Sequence, residues 1–525
     1  MIRGEDELIN GRWASEVIAA LPDRLHLAVE EWIRRSPDAE ALVDHEVRWT
    51  YRELGQAVDA AEQWLREQGL RPGDRLMVVS ENGRALVSLL LAASRLDVWV
   101  AIINARLAPN EIATIQANCR PRRVLYTIDV SPEAAEHGRR QGAVEAEVPP
   151  LGRLMVGPLA EDSEPEPVAA SGAEQVAAMI YTSGTTGTPK GVMLTHRGLL
   201  YIGLVSGGMR SLQPGRHVYG VLPTSHVFGL SSVCIGSLAN GACLHTVPRF
   251  DPEALVNALE QEPIAVLQGV PAMYARTLEY LDKRGHVLRP RALDYMSAGG
   301  APLDLDLKSR VERVFGCTLH NGYGLTEASP TISQTRIGEH HQTTTVGKLL
   351  PGLEAKLLDF QGNPVPAGEV GELWVRGPNL MKGYYRNPEA TAQAISPDGW
   401  LNTGDLARFD DAGNLYIVGR SKELIIRSGF NVYPPDVEAV LNSHPDVVLS
   451  AVVGRSVPGN EEVVAFVQPV AGSGLTPEAL REYAAQHLAG YKRPSHYIFM
   501  DSLPATASGK ILKSRLAEMA AQLDD

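Results

Sequence analysis

The chain has 525 residues, with 49 Lys and Arg against 62 Asp and Glu for a formal charge of −13. That length allows about three or four structural units of roughly 100 to 200 residues each, and 44% hydrophobic with 21% charged residues is the balance of a folded chain rather than a disordered one. The acidic total argues against a protein built to neutralise a phosphate backbone, so nucleic acid is not expected as a partner. Cys119, Cys234, Cys243 and Cys317 are scattered without Cys-x-x-Cys spacing, which suits a reducing compartment better than a thiolate metal site or a disulfide framework. Glu5, Asp6 and Glu7 stand where an export signal needs basic residues, and no apolar run follows them. A cytoplasmic protein is expected; a homodimer is left open.

In chain order, Thr50 and Glu53 predict a capping box, and Leu54, Val58, Ala61 and Leu65 share one face of the helix that follows, until Gly69 and Pro72 end it. Apolar runs at 76–79, 98–103 and 124–127 alternate with helical patterns, the signature of a doubly wound parallel sheet. Residues 161–175 are rich in Glu, Pro, Ser, Ala and Gly and read as a surface connection. The alternation resumes with runs at 177–181, 218–222, 242–247 and 264–267, each followed by a helical pattern, and Asp251-Pro252 predicts a helix start. The longest uncharged stretch, 227–248, is broken by serines, Asn240-Gly241 and His245, and predicts a buried helix, turn and strand rather than an integral membrane segment. From about 346 to 418, short β-rich runs separated by Gly and Pro predict a small β unit. The remaining tail mixes strands at 447–453 and 463–467 with helices at 435–441 and 476–487, long enough for its own core and able to move as a body.

The segment richest in chemistry is Tyr181-Thr-Ser-Gly-Thr-Thr-Gly-Thr-Pro-Lys-Gly191, which follows a predicted strand. Glycines let a backbone close around an anion, hydroxyl and amide hydrogens converge on it, and Lys190 adds a mobile positive charge. Phosphate binding by Thr182, Ser183, Gly184, Thr185, Thr186, Gly187 and Lys190 is expected. Pro189 before the lysine and Gly191 after it depart from the Walker pattern, so an ordinary P-loop NTPase is disfavoured. The plain alternative is an exposed Ser/Gly linker, which seldom follows a strand or ends in Pro-Lys-Gly.

Together with Asn321-Gly-Tyr-Gly-Leu-Thr-Glu327, Gly371-Glu-Leu-Trp-Val-Arg-Gly377, Gly399-Trp-Leu-Asn-Thr-Gly-Asp405, Gly419-Arg-Ser-Lys422 and Ala507-Ser-Gly-Lys510, this loop resembles the motif set of the adenylate-forming (AMP-binding) superfamily, in its acyl-CoA synthetase and aryl-CoA ligase branch. The resemblance runs from the Thr50 region to Lys510. It implies an α/β fold: a large N-terminal domain, 1–419, of two doubly wound subdomains (about 1–170 and 171–345) plus a small β-barrel (346–419), a hinge at 420–422, and a mobile, smaller α+β C-terminal domain, 423–525. It also implies activation of a carboxylic acid by ATP and Mg²⁺ to an acyl adenylate with release of pyrophosphate, then transfer of the acyl group to a thiol, with coenzyme A as co-substrate.

Roles follow by resemblance, residue by residue. Thr326 contacts the α-phosphate and Glu327 holds Mg²⁺, as a poor electrophile needs converging hydroxyls, cations and an acid. An isolated Glu327 would otherwise be read as a carboxylate favoured at a helix N-terminus. Asn321, Gly322, Tyr323 and Gly324 meet the adenine, as do Gly300, Ala301 and Pro302, where small residues permit close approach. Asp405, acceptor-only with paired lone pairs, suits the ribose diol, and Arg420 reaches the same ring. Lys510 is the cation that bridges acid and α-phosphate, and Lys422 is the hinge that lets the tail withdraw it so that a thiol can approach. Ser428 and Gly429 line the thiol tunnel, and Tyr491 and Arg493 meet the nucleotide end of CoA. His226, Val227, Gly229 and Gly299 line the acyl pocket.

Residues 225–229 contain no acid to pair with an amino-acid ammonium, and Asn321 stands where dicarboxylate-activating relatives can carry an arginine. Residues 227–229, 269–272 and 297–300 are small and apolar, so a fatty or aromatic monocarboxylate is expected. No carrier domain follows Lys510, which favours CoA as acceptor; a stand-alone enzyme loading a separate carrier protein is the alternative, and a luciferase-type oxygenase or a non-catalytic adenylate-binding scaffold stand further off.

Overall fold

The computed structural model describes residues 1–183, 189–428, 430–458, 460–505 and 511–523. The capping box closes as the sequence predicts: Glu53 N–H donates to Thr50 Oγ1 at 3.2 Å and Thr50 N–H to Glu53 Oε2 at 2.7 Å, opening the helix Tyr51–Glu67. Its buried face includes Leu54, Val58, Ala61 and Leu65. Asp251 likewise caps the helix Pro252–Gln261, accepting from Ala254 N–H at 2.8 Å.

Two large sheets, with helices packed against them, build most of the N-terminal domain. In the eight-stranded sheet, Trp99–Asn104, Arg75–Ser80 and Arg123–Thr127 run parallel at the centre. The nine-stranded sheet has a parallel centre of Leu319–Gly324, Tyr295–Ala298, Ile264–Gly269, His217–Gly220, Cys243–Thr246 and Glu40–Asp44. A five-stranded antiparallel sheet, expected as a small β-barrel, runs from Ile2–Arg3 through Glu354–Leu358, Gly371–Arg376 and Leu401–Phe409 to Leu415–Arg420, and its two edge strands are not paired to each other among the described residues.

Sheet membership cuts across the boundaries read from the sequence at 170 and 346. Glu40–Asp44 joins the nine-stranded sheet beside Cys243–Thr246, and Val176–Ser183 lies parallel to Trp99–Asn104 in the eight-stranded one. Gly383–Tyr384, from within the β unit, pairs with Val192 and Met193 at the edge of the eight-stranded sheet. Among the described residues, the run at 177–181 is followed by an antiparallel strand, Pro189–Thr195, and then by the helix His196–Tyr201. Edge strands take whichever segment can complete their hydrogen bonds, and linear spacing carries no record of that choice.

Residues 227–248 form the expected helix, turn and strand: wide-turned helix over Phe228–Ile235, regular helix over Gly236–Ala239, then Cys243–Thr246. No helix among the described residues is long and apolar enough to cross a membrane. The tail forms a three-stranded sheet, Val447–Val457, Asn460–Pro469 and His496–Phe499, with Pro434–Asn442, Pro477–His487 and Lys513–Ala520 as its helices. Its apolar residues, Val437, Leu441, Val463 and Val467 among them, cluster separately from those of the N-terminal domain.

His217 and His245 lie on adjacent parallel strands with Nδ1 and Nε2 2.8 Å apart. Burial lowers both, His245 to about 4, and also holds His320 at about 4. These groups are neutral when folded and take up protons on unfolding, so the stability they confer is full above about pH 6.5 and is lost as pH falls towards 4, by up to about 1.4 kcal/mol per pH unit for each. Thermal melts between pH 7 and 5 should show a steep fall in Tm, and His245→Asn should flatten that slope.

Candidate active site

The site is organised by the strand Leu319–Gly324 and the short helix Thr326–Ala328 that follows it. A Cβ on Gly324 would lie 2.1 Å from the Pro330 carbonyl oxygen, so only glycine lets the chain fold back here. Thr326 is buried, and Glu327 is fastened from the neighbouring sheet. The Tyr384 hydroxyl donates to Glu327 Oε1 at 2.8 Å, and Met381 N–H donates to the Glu327 carbonyl at 2.8 Å. Lys190, the antiparallel cross-strand partner of Thr182, sets its Nζ 4.9 Å from the centre of the Tyr384 ring. Burial first, and the Glu327 charge second, push the Tyr384 hydroxyl far above its ordinary range, so it stays a donor.

On the other side, Tyr323 donates its hydroxyl to Asp405 Oδ2, while Asp405 Oδ1 meets Arg420 Nε at 3.3 Å. Asp405 and Arg420 are cross-strand partners in the five-stranded sheet, which explains their contact despite the sequence between them. Burial and then the Asp405 charge raise Tyr323 well above the ordinary tyrosine range. Asp405 N–H donates to Thr403 Oγ1 at 3.1 Å, holding the carboxylate in its turn.

Several expected residues sit differently. Asn321 donates through Nδ2 to the Thr345 and Thr344 carbonyls at 3.0 and 3.4 Å, and its Oδ1 accepts from Gly322 N–H at 3.1 Å. Its carboxamide thus ties the 344–345 segment to the strand. His226 is exposed, and its Nδ1 accepts from Phe228 N–H at 3.2 Å at the start of the Phe228–Ile235 helix. Val227 is fully buried in the main core and lines no open surface. Gly229 is required by backbone packing, since a Cβ there would lie 2.2 Å from the Pro223 carbonyl oxygen. Phe228, within the 227–229 segment expected at the acyl pocket, is the residue against Gly299: a Cβ on Gly299 would lie 3.2 Å from its ring. Gly300 is exposed with φ +78°, and Ala301 and Pro302 are exposed beside it. A Cβ on Gly322 would lie 3.3 Å from the Ser333 carbonyl oxygen.

In the tail, Lys422 is exposed in the short turn Ser421–Glu423, and Ser421 Oγ donates to Glu372 Oε1 at 2.7 Å, tying the turn to the five-stranded sheet. Ser428 takes a left-handed φ of +52° and its N–H donates to Asn460 Oδ1 at 2.6 Å. Tyr491 stacks on Phe430 with ring centres 4.7 Å apart. Arg493 donates from Nε to Leu488 O at 2.8 Å and from Nη2 to Ala485 O at 2.9 Å. Its guanidinium therefore caps the end of the Pro477–His487 helix, where the dipole favours a cation, through Nε and Nη2. Thr182 and Ser183 end the strand Val176–Ser183; Gly184, Thr185, Thr186, Gly187, Gly429 and Lys510 lie outside the described residues. Tyr384 is the main site residue that sequence reasoning missed, and its signal was the tyrosine pair in Lys382-Gly-Tyr-Tyr-Arg386.

The family model for AMP-binding enzymes matches residues 29–385, and that for the AMP-binding enzyme C-terminal domain matches 436–510. The chain belongs to the AMP-binding enzyme family. Among its AMP-binding relatives, feruloyl-CoA synthase of an Amycolatopsis species is 35% identical over 492 residues, covering 92% of this chain and 96% of the relative. 4-Coumarate–CoA ligase 2 of Nicotiana tabacum is 30% identical, covering 90% of each chain. The crystal structure of ATP-bound MatB from Rhodopseudomonas palustris superposes with a TM-score of 0.83 at 29% identity, over 95% of this chain and 99% of that one. In this AMP-binding enzyme the buried Asp405 has Tyr323 and Arg420 among its partners. Tyr323→Phe, which removes one of them from a 4% exposed carboxylate, should cost about 1–3 kcal/mol in equilibrium denaturation.

Proposed function

We infer that the protein is an ATP-dependent, AMP-forming acid–CoA ligase. It joins a carboxylate to ATP as an acyl adenylate, releasing pyrophosphate, and then passes the acyl group to the CoA thiol, releasing AMP. The observation that carries this reading is the meeting of three sheets at 321–327, which gathers Lys190, Tyr384 and Glu327 on one side and Tyr323, Asp405 and Arg420 on the other. CoA-ligase relatives matched over nearly their whole length support it.

In this reading Asp405 accepts from the ribose hydroxyls and Arg420 steadies it, while Thr326 and Lys190 face the phosphates. The donors fit the metal the family uses: Glu327, a hard oxygen ligand already oriented by Tyr384, would hold Mg²⁺, which when bound neutralises phosphate charge. Lys510 brings an ammonium group to the acid and α-phosphate, and a turn at 420–422 about Lys422 lets the 423–525 domain withdraw it. The Ser428–Gly429 loop then borders the thiol path. The relatives named for feruloyl and 4-coumarate substrates favour an aromatic monocarboxylate over a fatty one. Four unpaired cysteines fit a reducing, cytoplasmic setting.

Pyrophosphate release measured on a panel of acids with ATP and Mg²⁺, followed by CoA or a pantetheinylated carrier protein, tests the reading: thioester should form on CoA, and transfer only to the carrier would refute the CoA assignment. Lys510→Ala should lower adenylation at least about 100-fold while thioester formation from supplied acyl adenylate falls far less. Tyr384→Phe should raise the Mg²⁺ concentration needed for half-maximal pyrophosphate release by about three- to tenfold.

A further inference from the structure

The elements that carry Phe228, Gly299 and Gly322 run on to a buried guanidinium. Arg210 is only 3% exposed. Its Nε donates to the Ser206 carbonyl at 2.9 Å, Nη1 donates to Gln268 Oε1, and Nη2 has no hydrogen-bond partner among the described residues. Among the described residues no carboxylate acts on it; burial lowers it to about 10, with Tyr295 a smaller opposing influence, so it is still a cation at neutral pH.

Its surroundings belong to the site. Gln268 is the cross-strand partner of Ser297, two residues before Gly299. Its Nε2 donates at 3.3 Å to the carbonyl of Ser232, one helical turn beyond Phe228. Ser206 donates at 2.7 Å to Oε1 of Gln334, the cross-strand partner of Gly322. The hydroxyls of Ser232 and Ser333 are also buried without partners among the described residues. Capping of the helix end explains the Nε contact with Ser206, but leaves Nη2 and both hydroxyls unaccounted for. A buried cation without a counter-charge costs several kcal/mol, and buried polar atoms are rarely left unpaired unless a ligand or water completes them.

We propose that Arg210 reads the end of the acid remote from its reacting carboxylate, so that the enzyme selects acids bearing an oxygen acceptor there: a phenol, an ether or a second carboxylate. This rests on the ligase reading and replaces the expectation of a wholly apolar tail. The walls formed by Phe228 and Gly299 suit an aromatic body; Ser232 and Gln268 link them to Arg210, whose Nη2 lies 3.7 Å from where a Cβ on Gly236 would stand. A site built to hydrogen-bond an oxygen rejects the methyl analogue, because its own donor is then left unpaired.

The test compares 4-methyl-, 4-hydroxy-, 4-methoxy- and 4-carboxycinnamate in pyrophosphate release with the full chain. At least one oxygen-bearing acid should exceed the methyl compound in kcat/KM by about tenfold or more, and which one does so separates phenol, ether and carboxylate. Arg210→Met should bring that ratio to within about threefold of one, mainly through KM, and Arg210→Lys should restore part of it. Equal rates on all four acids, or a ratio unchanged in Arg210→Met, would overturn the proposal. Ligand-induced Tm shifts of the wild type by the same acids decide the matter if the variants fail to fold: a larger shift from an oxygen-bearing acid supports it and equal shifts refute it. Pyrophosphate released from none of the acids would sink the ligase reading instead, and the Tm shifts would still judge Arg210.

Discussion

Two tyrosine–carboxylate hydrogen bonds join residues of the three sheets of the N-terminal domain at a single strand end. Tyr323 leaves the nine-stranded sheet and donates to Asp405 of the five-stranded sheet; Tyr384, at the edge of the eight-stranded sheet, donates to Glu327. In both pairs burial and the partner's charge keep the phenol protonated, so each carboxylate has a permanent donor on one side. A carboxylate fixed in this way has its remaining lone pairs oriented before a ligand arrives, and reorganisation at the moment of reaction is small. The cations follow the same frame, Lys190 over the Tyr384 ring and Arg420 beside Asp405.

The tail is built on another principle. Its apolar core is its own, and Lys513 holds Glu438 at 2.7 Å and Glu423 at 3.3 Å, within the tail itself. The turn is tied to the five-stranded sheet by the partly exposed Ser421–Glu372 hydrogen bond, and Tyr433 and Pro435 of the tail stand over Gly419, 3.8 and 3.7 Å from where a Cβ there would lie.

The local elements were legible because each carries its cause in adjacent residues. The Thr50–Glu53 box, the Asp251 cap and the helix, turn and strand over 227–248 depend on side chains a few positions apart. The motif residues Tyr323, Glu327, Asp405, Arg420 and Lys190 were legible as a set for a different reason, their resemblance to a family pattern. What escaped were residues whose role depends on a distant partner. Tyr384 matters because its strand reaches Val192 and its hydroxyl reaches Glu327; Arg493 looks available in sequence but is taken by the end of a helix. Val227 and Phe228 are neighbours in the same apolar run, and only packing decided which one enters the core and which one faces Gly299.

The sequence by itself determined the alternation of strands and helices, the separate tail and the chemical types gathered for a nucleotide and an acid, since periodicity, capping and motif spacing are short-range properties. Tertiary structure alone decided which strands complete which sheet, which polar groups of Asn321 and Arg493 were already spent on the backbone, and that a buried guanidinium, with one nitrogen unpaired among the described residues, shares Gln268 with the Ser232 carbonyl one helical turn beyond Phe228. Those outcomes depend on hydrogen-bond partners and desolvation contributed by residues far apart in the chain, and a linear pattern does not record them.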